Sequence, residues 1–287
     1  MRSINISCAG ESIMRLQVKG VSFAYGSAPV LDNVAFRVRA GETLGVVGPN
    51  GSGKSTLLRC LARVLRPRVG TVLLDGKNLA SLRGREIGRC LGYVPPPGTG
   101  QAFPCTVLET VLHGRRPYVT WGVSQHDLAV AAGALGYLGL TGLAERQLNE
   151  LSSGQRQKVL IARALAQEPE VFLLDEPTAT LDIRYQLEVL ALIKDFVTKQ
   201  GRVAVFVLHD LNLASRFADR ILLLGEGRIC AAGVPNEVFT PENVRAVYGV
   251  DAVVTETPWG LQVTPVAPVG APAGEEVTEG PKAAVRP

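Results

Sequence analysis

Long unbroken apolar runs are what this sequence most clearly lacks. A membrane-spanning helix needs about 18 to 20 consecutive apolar residues, and no run here qualifies. One uncharged stretch, residues 128–144, carries four glycines (133, 136, 139 and 142) and reads as a buried helix with its turn. Residues 1–11 are polar and hold Cys8 with no apolar segment, so no signal peptide is expected. Cysteine is scarce and unpatterned: five residues (8, 60, 90, 105 and 230) form no C-x-x-C pair, which points to free thiols in a reducing compartment. The three histidines (113, 126 and 209) share no ligand spacing with them, which argues against a structural metal. Charge of one sign is not in excess either. A net charge of +4 over 287 residues is too mild for a nucleic-acid scaffold, and no nucleic-acid partner is expected. With 46% hydrophobic and 20% charged residues, the chain is neither disordered nor fibrous.

What is present has an α/β rhythm. Alternation from Met14 through MRLQVKGVSFAYG predicts a strand, and translation starts at Met1 or Met14. TLGVV (43–47) is a short apolar run, followed by a glycine loop and helical spacing over 55–64. Residues 72–74 and 91–94 are further strand candidates, whereas 108–113, 127–138 and 154–166 look helical. After Pro169 come VFLLD (171–175), AVFVLH (204–209) and RILLLG (220–225), separated by helical segments 183–199 and 210–217. Continuous apolar runs of this kind fit strands buried on both faces of a parallel sheet. The expected organisation is an N-terminal extension (1–13), a globular domain (14–264) and a mobile tail (265–287). Within the globular domain, 14–94 and 169–264 form the core and 95–168 a helical subdomain. In the tail, 13 of 23 residues are Pro, Gly or Ala.

Three motifs carry chemistry. Gly48-Pro49-Asn50-Gly51-Ser52-Gly53-Lys54-Ser55 is a G-x-x-x-x-G-K-[ST] loop between a strand and a helix. Its glycines let backbone N–H groups turn inward around a polyphosphate, and the helix adds its positive end. Lys54 would reach the β- and γ-phosphates, and the Ser55 hydroxyl would ligate Mg²⁺. The second motif is VFLLD followed by Glu176: a buried strand delivering Asp175 for the metal and Glu176 for an attacking water at the sheet edge where such folds place ligands. His209, ending the next apolar run, falls beside the same edge. The third motif, Leu151-Ser152-Ser153-Gly154-Gln155, opens a helix and makes a second anion-binding spot far along the chain from the first. One nucleotide needs one cradle, so the second implies a site shared between two copies.

Taken in this order, the motifs resemble those of the ATP-binding cassette (ABC) ATPases over residues 14–250. GPNGSGKST, with Thr56 its last residue, looks like Walker A, LSSGQ like the signature, and VFLLDEP like Walker B with its catalytic glutamate. Asp182 matches the D-loop, His209 the switch histidine, and Tyr25 the aromatic residue that stacks on adenine. The resemblance implies a P-loop NTPase fold with a mostly parallel core sheet, an N-terminal antiparallel β part and an inserted helical subdomain. It implies ATP and Mg²⁺ as ligands and a head-to-tail pair of cassettes, each ATP lying between Walker A of one copy and Ser152 and Gly154 of the other. Residues 104–118 and 209–250 are similar to cassettes that serve importers of iron–siderophore complexes, haem and vitamin B12. Such a cassette sits on the cytoplasmic face of the membrane. Its helices, here 105–165, dock on a permease dimer, and a separate substrate-binding protein delivers the cargo. The alternative is a non-transport or nucleotide-switch cassette with weak turnover.

Two positions depart from the family. Ser153 stands where glycine is usual, a cost if the backbone there needs positive φ. The Q-loop reads Tyr93-Val94-Pro95-Pro96, with Pro96 in place of glutamine. Gln101 is either a stand-in for that metal-contacting glutamine or an unrelated surface residue.

Overall fold

The computed structural model describes residues 14–98 and 105–270. The chain begins with β1 (Met14–Tyr25), β2 (Ala28–Arg39) and β3 (Thr43–Val47), then α1 (Lys54–Leu61), β4 (Val69–Leu74) and β5 (Lys77–Asn78). Next come α2 (Gly84–Cys90) and β6 (Leu91–Val94). The helices α3 (Val107–Leu112), α4 (Gln125–Tyr137) and α5 (Ser153–Ala166) form an insertion before β7 (Val171–Asp175). The order then runs α6 (Ile183–Gln200), β8 (Val203–Val207), α7 (Leu211–Phe217), β9 (Arg220–Gly225), β10 (Arg228–Gly233), α8 (Pro235–Val238) and α9 (Pro241–Tyr248). It closes with the hairpin β11 (Val250–Thr257) and β12 (Gly260–Pro268).

The central sheet has the order β10-β9-β3-β8-β7-β6, in which β10 alone is antiparallel to its neighbour. Its strands β3, β7 and β8 are buried along their whole length because both faces are covered. In β7, Val171 and Leu173 point into one core, with β1, β2 and α1, while Phe172 and Leu174 point into the other, with the helical insertion and α6. Side chains alternate between faces with period two, so a strand buried twice reads as a nearly unbroken apolar run. Each such Val, Leu or Phe contributes about 1.5–3 kcal/mol by leaving water. The second sheet, β2-β1-β4-β5, is antiparallel and leans on α1.

Register sets up the site. Val46 of β3 and Asp175 of β7 both pair with Val207 of β8, so the three strands end level. The residues that follow each strand therefore emerge together at one sheet edge.

Several sequence-based boundaries need correction. The helix expected over 55–64 is α1, which stops at Leu61, and Arg63 then turns left-handed with φ 59°. The strand expected to reach His209 stops at Val207, which frees His209 from the ladder. Residues 128–144 are not buried throughout: Gly133, Gly136 and Tyr137 lie on an exposed face. The expected globular edge at 264 falls inside β12, whose pairing with β11 runs on to Pro268. Pro265 and Pro268 fit this two-stranded ribbon because its outer edges need no N–H donor. Residues 1–13, Gln101 and residues 271–287 lie outside the described residues. Among the described residues, no helix is long and apolar enough to cross a membrane.

Candidate functional site

The loop after β3 owes its shape to glycines and to distant neighbours. Gly48 has φ 152°, and a Cβ there would come within 2.1 Å of the Leu224 carbonyl oxygen. Gly53 has φ 97° and lies against Val30 and Leu31 of β2. From below, the turn between β9 and β10 holds the loop, with the Gly227 N–H donating to Ser52 O at 3.2 Å. Val30 and Gly227 were not legible as site residues, since neither belongs to the motif. Gly227 had one weak signal, a Gly-Glu-Gly turn between two apolar runs.

Inside the loop, Lys54 is 5% exposed and its Nζ donates to the carbonyls of Gly48 and Pro49, at 2.8 Å each. Burial lowers its pKa, partly offset by the nearby carboxylates of Glu176 and Asp175. The Ser52 hydroxyl is buried without a partner, an orphan donor pointing to a missing acceptor. A cradle that a Cβ would fill, an orphan hydroxyl and a lysine folded back onto loop carbonyls together fit a polyphosphate.

The strand ends supply the acids. Asp175 is fully buried, and Ser55 Oγ donates to its Oδ1 at 2.9 Å. Burial raises the Asp175 pKa against the bond from Ser55, and Glu176 pushes in the same upward direction. A hydroxyl and a buried carboxylate side by side are hard oxygen donors that fit Mg²⁺. Glu176 takes φ 52°, a left-handed backbone that a non-glycine residue adopts at a cost of about 1–3 kcal/mol. That turn carries its carboxylate out of the sheet to His209, whose Nε2 shares a 2.7 Å hydrogen bond with Glu176 Oε1. Asn50, Gly51, Gly53, Lys54, Ser55, Thr56, Glu176 and His209 line one cleft of about 260 Å³, with Val30 on its wall.

The remaining expected residues lie elsewhere. Tyr25, at the end of β1, is half-exposed and edge-on to Phe23, with ring centroids 4.9 Å apart. Ser152 caps α5: its Oγ accepts from the Gln155 N–H at 3.2 Å, while Gln155 Oε1 accepts from the Ser152 N–H at 3.0 Å. Ser152 and Ser153 are exposed and do not line the cleft. Ser153 is the first residue of the helix and has no positive φ, so replacing glycine there brings no backbone strain. Asp182, at the N-cap of α6, is exposed and makes no capping bond. Among the described residues no group of three or more His, Cys, Asp or Glu could hold a metal.

The fold and the cleft together define a P-loop nucleotide-binding protein. The ABC transporter family model matches residues 31–179, and the chain belongs to that family. It is 46% identical over 259 residues to an uncharacterized ABC transporter ATP-binding protein of Methanocaldococcus jannaschii, covering 90% of this chain and all of that one. It is 37% identical to the ferric enterobactin transport ATP-binding protein of Escherichia coli, covering 91% and 96% of the two chains. Relatives at 38–40% identity are named for cobalamin, petrobactin and hemin import. Among solved structures, a metal-chelate type ABC transporter in an inward-facing conformation matches with a TM-score of 0.75 at 33% identity, over 88% of this chain and 97% of that one. A dimeric ATP-binding cassette bound to ADP and Pi matches with a TM-score of 0.69 at 30% identity, over 77% and 98%.

Proposed function

We propose that this chain is the ATP-hydrolysing subunit of a membrane importer whose cargo is a metal chelate of the iron–siderophore, haem or cobalamin type. The single observation that carries the chemistry is the meeting of the P-loop and the Glu176–His209 pair in one cleft, where Ser55 on the wall is bonded to the buried Asp175 behind it. In this reading the loop N–H groups from Gly48 to Thr56 and the Ser52 hydroxyl bind the phosphates, and Lys54 gives up its loop carbonyls for the β- and γ-oxygens. Ser55 and Asp175 would hold Mg²⁺, which when bound neutralises charge on those oxygens. Glu176 orients a water in line with the terminal phosphate, and His209 fixes the Glu176 carboxylate. Phosphoryl transfer needs placement and charge neutralisation more than covalent chemistry. Tyr25 stacks on adenine.

Ser152, Ser153, Gly154 and Gln155 complete the site of a second copy, with Asp182 at the same seam. The exposure of this capped helix start, remote from its own cleft, supports that reading, as does the dimeric cassette among the structural neighbours. The pair sits peripherally on the cytoplasmic face, against a permease dimer that receives cargo from a substrate-binding protein. The helical subdomain (95–168) serves as the docking part. The names of the relatives support the cargo class. The test is Glu176→Gln: ATP binding by calorimetry should be retained while turnover falls about 100-fold or more. An unchanged rate would remove Glu176 from the chemistry and favour a nucleotide switch with weak turnover.

A further inference from the structure

Both oxygens of the Asp175 carboxylate have a hydroxyl beside them. Oδ1 accepts from Ser55, and Oδ2 faces the Tyr93 hydroxyl at 3.4 Å. Tyr93 reaches that position by register. It pairs with Leu173 across β6 and β7, and Asp175, two residues further along β7, lies on the same face of the sheet as Leu173. The ring packs half-buried on the core formed with α1. Behind it, the Arg59 guanidinium of α1 lies beside the hydroxyls of Tyr93 and Tyr25. A guanidinium only donates and cannot accept the phenol's single O–H, which is left for Asp175. At 3.4 Å the contact is long for a bond between two oxygens, so it steers the carboxylate rather than locking it.

We infer that Tyr93 is a positioning residue for the metal site, its hydroxyl orienting Asp175 so that the carboxylate meets a divalent cation beside Ser55. This rests on the proposed role of Asp175 in holding Mg²⁺.

The test is Tyr93→Phe, which keeps the ring and removes only the hydroxyl. ATP affinity is measured by calorimetry in EDTA, and Mn²⁺ binding to the ATP-loaded chain by electron paramagnetic resonance, neither of which depends on turnover. The expected result is unchanged metal-free ATP affinity with Mn²⁺ binding weakened about tenfold, the scale of one hydrogen bond to a charged group. A Mn²⁺ titration superimposed on that of the wild-type protein overturns the proposal. So does a parallel loss of metal-free ATP binding, which would make Tyr93 a support of the pocket as a whole. If the wild-type chain itself binds no ATP, the functional reading fails instead.

Discussion

The P-loop cleft and the signature segment both lie at helix starts, and they are finished to different degrees. In the cleft the main charged and hydroxyl groups are already held within the chain. Lys54 is held by loop carbonyls, Ser55 by Asp175 and Glu176 by His209, while the Ser52 hydroxyl is buried without a partner. At the signature, the capping box of Ser152 and Gln155 forms the helix end, but its outer surface meets solvent. The first arrangement is organised before the ligand comes; the second is a prepared wall with nothing against it. On the proposed reading, the difference places affinity for nucleotide within a chain and competence to hydrolyse it between chains.

The same substitution made in both regions should break them differently, and this carries the largest expected effect. In Gly48→Ala the new methyl would sit 2.1 Å from a backbone oxygen at a positive φ, so the loop must move. ATP affinity measured by calorimetry should fall about 100-fold, some 2.7 kcal/mol. In Gly154→Ala the methyl meets Leu181 and the Thr180 carbonyl at 3.4 Å, which α5 tolerates. ATP affinity of the isolated chain should be unchanged while hydrolysis is lost. Equal effects on binding would erase the distinction between the two regions.

A smaller effect sharpens the contrast in stability. The helical insertion is pinned by Arg115, 2% exposed, which reaches Asp127, Glu168 and the Ala166 carbonyl. The hydroxyl and N–H of Ser124, and then Arg115, hold the Asp127 carboxyl down at about 2. A carboxyl depressed on folding contributes stability above its unfolded value near 3.8 and loses it as the pH falls through about 2. Hydrogen exchange read by mass spectrometry should therefore show α4 losing protection between about pH 4 and pH 2, while β3 remains protected. In Asp127→Asn that pH dependence should flatten. Simultaneous loss in α4 and β3 would show that the insertion is not a separate unit of stability.

Much of this was legible in the sequence where one rule acted alone. β3, β6 and β7 have the boundaries their apolar runs announce, because burial on both faces leaves an unbroken pattern. β2 was not singled out, since Asp32 and Asn33 interrupt its alternation and several register shifts let the strand absorb them. The hairpin of β11 and β12 was hidden by its prolines and by exposure along most of its length. In the site, the motifs located the P-loop and the two acids. Val30 and Gly227 shape the loop from 18 residues or more away in sequence, and Arg59 gains its meaning only from the tyrosines packed against it. Contacts of this kind arise from tertiary packing, which no local pattern encodes.

The central claim, that each nucleotide is enclosed by two copies, is tested most directly by mixing two broken chains. Lys54→Ala removes the phosphate contact of one wall, and Ser152→Phe blocks the other. Each alone should be inactive as a homodimer, but a mixed pair contains one cleft with intact Lys54 facing an intact Ser152. The account predicts that ATP hydrolysis reappears on mixing, at a level set by the fraction of mixed pairs. A mixture no more active than the sum of its two parents would contradict it.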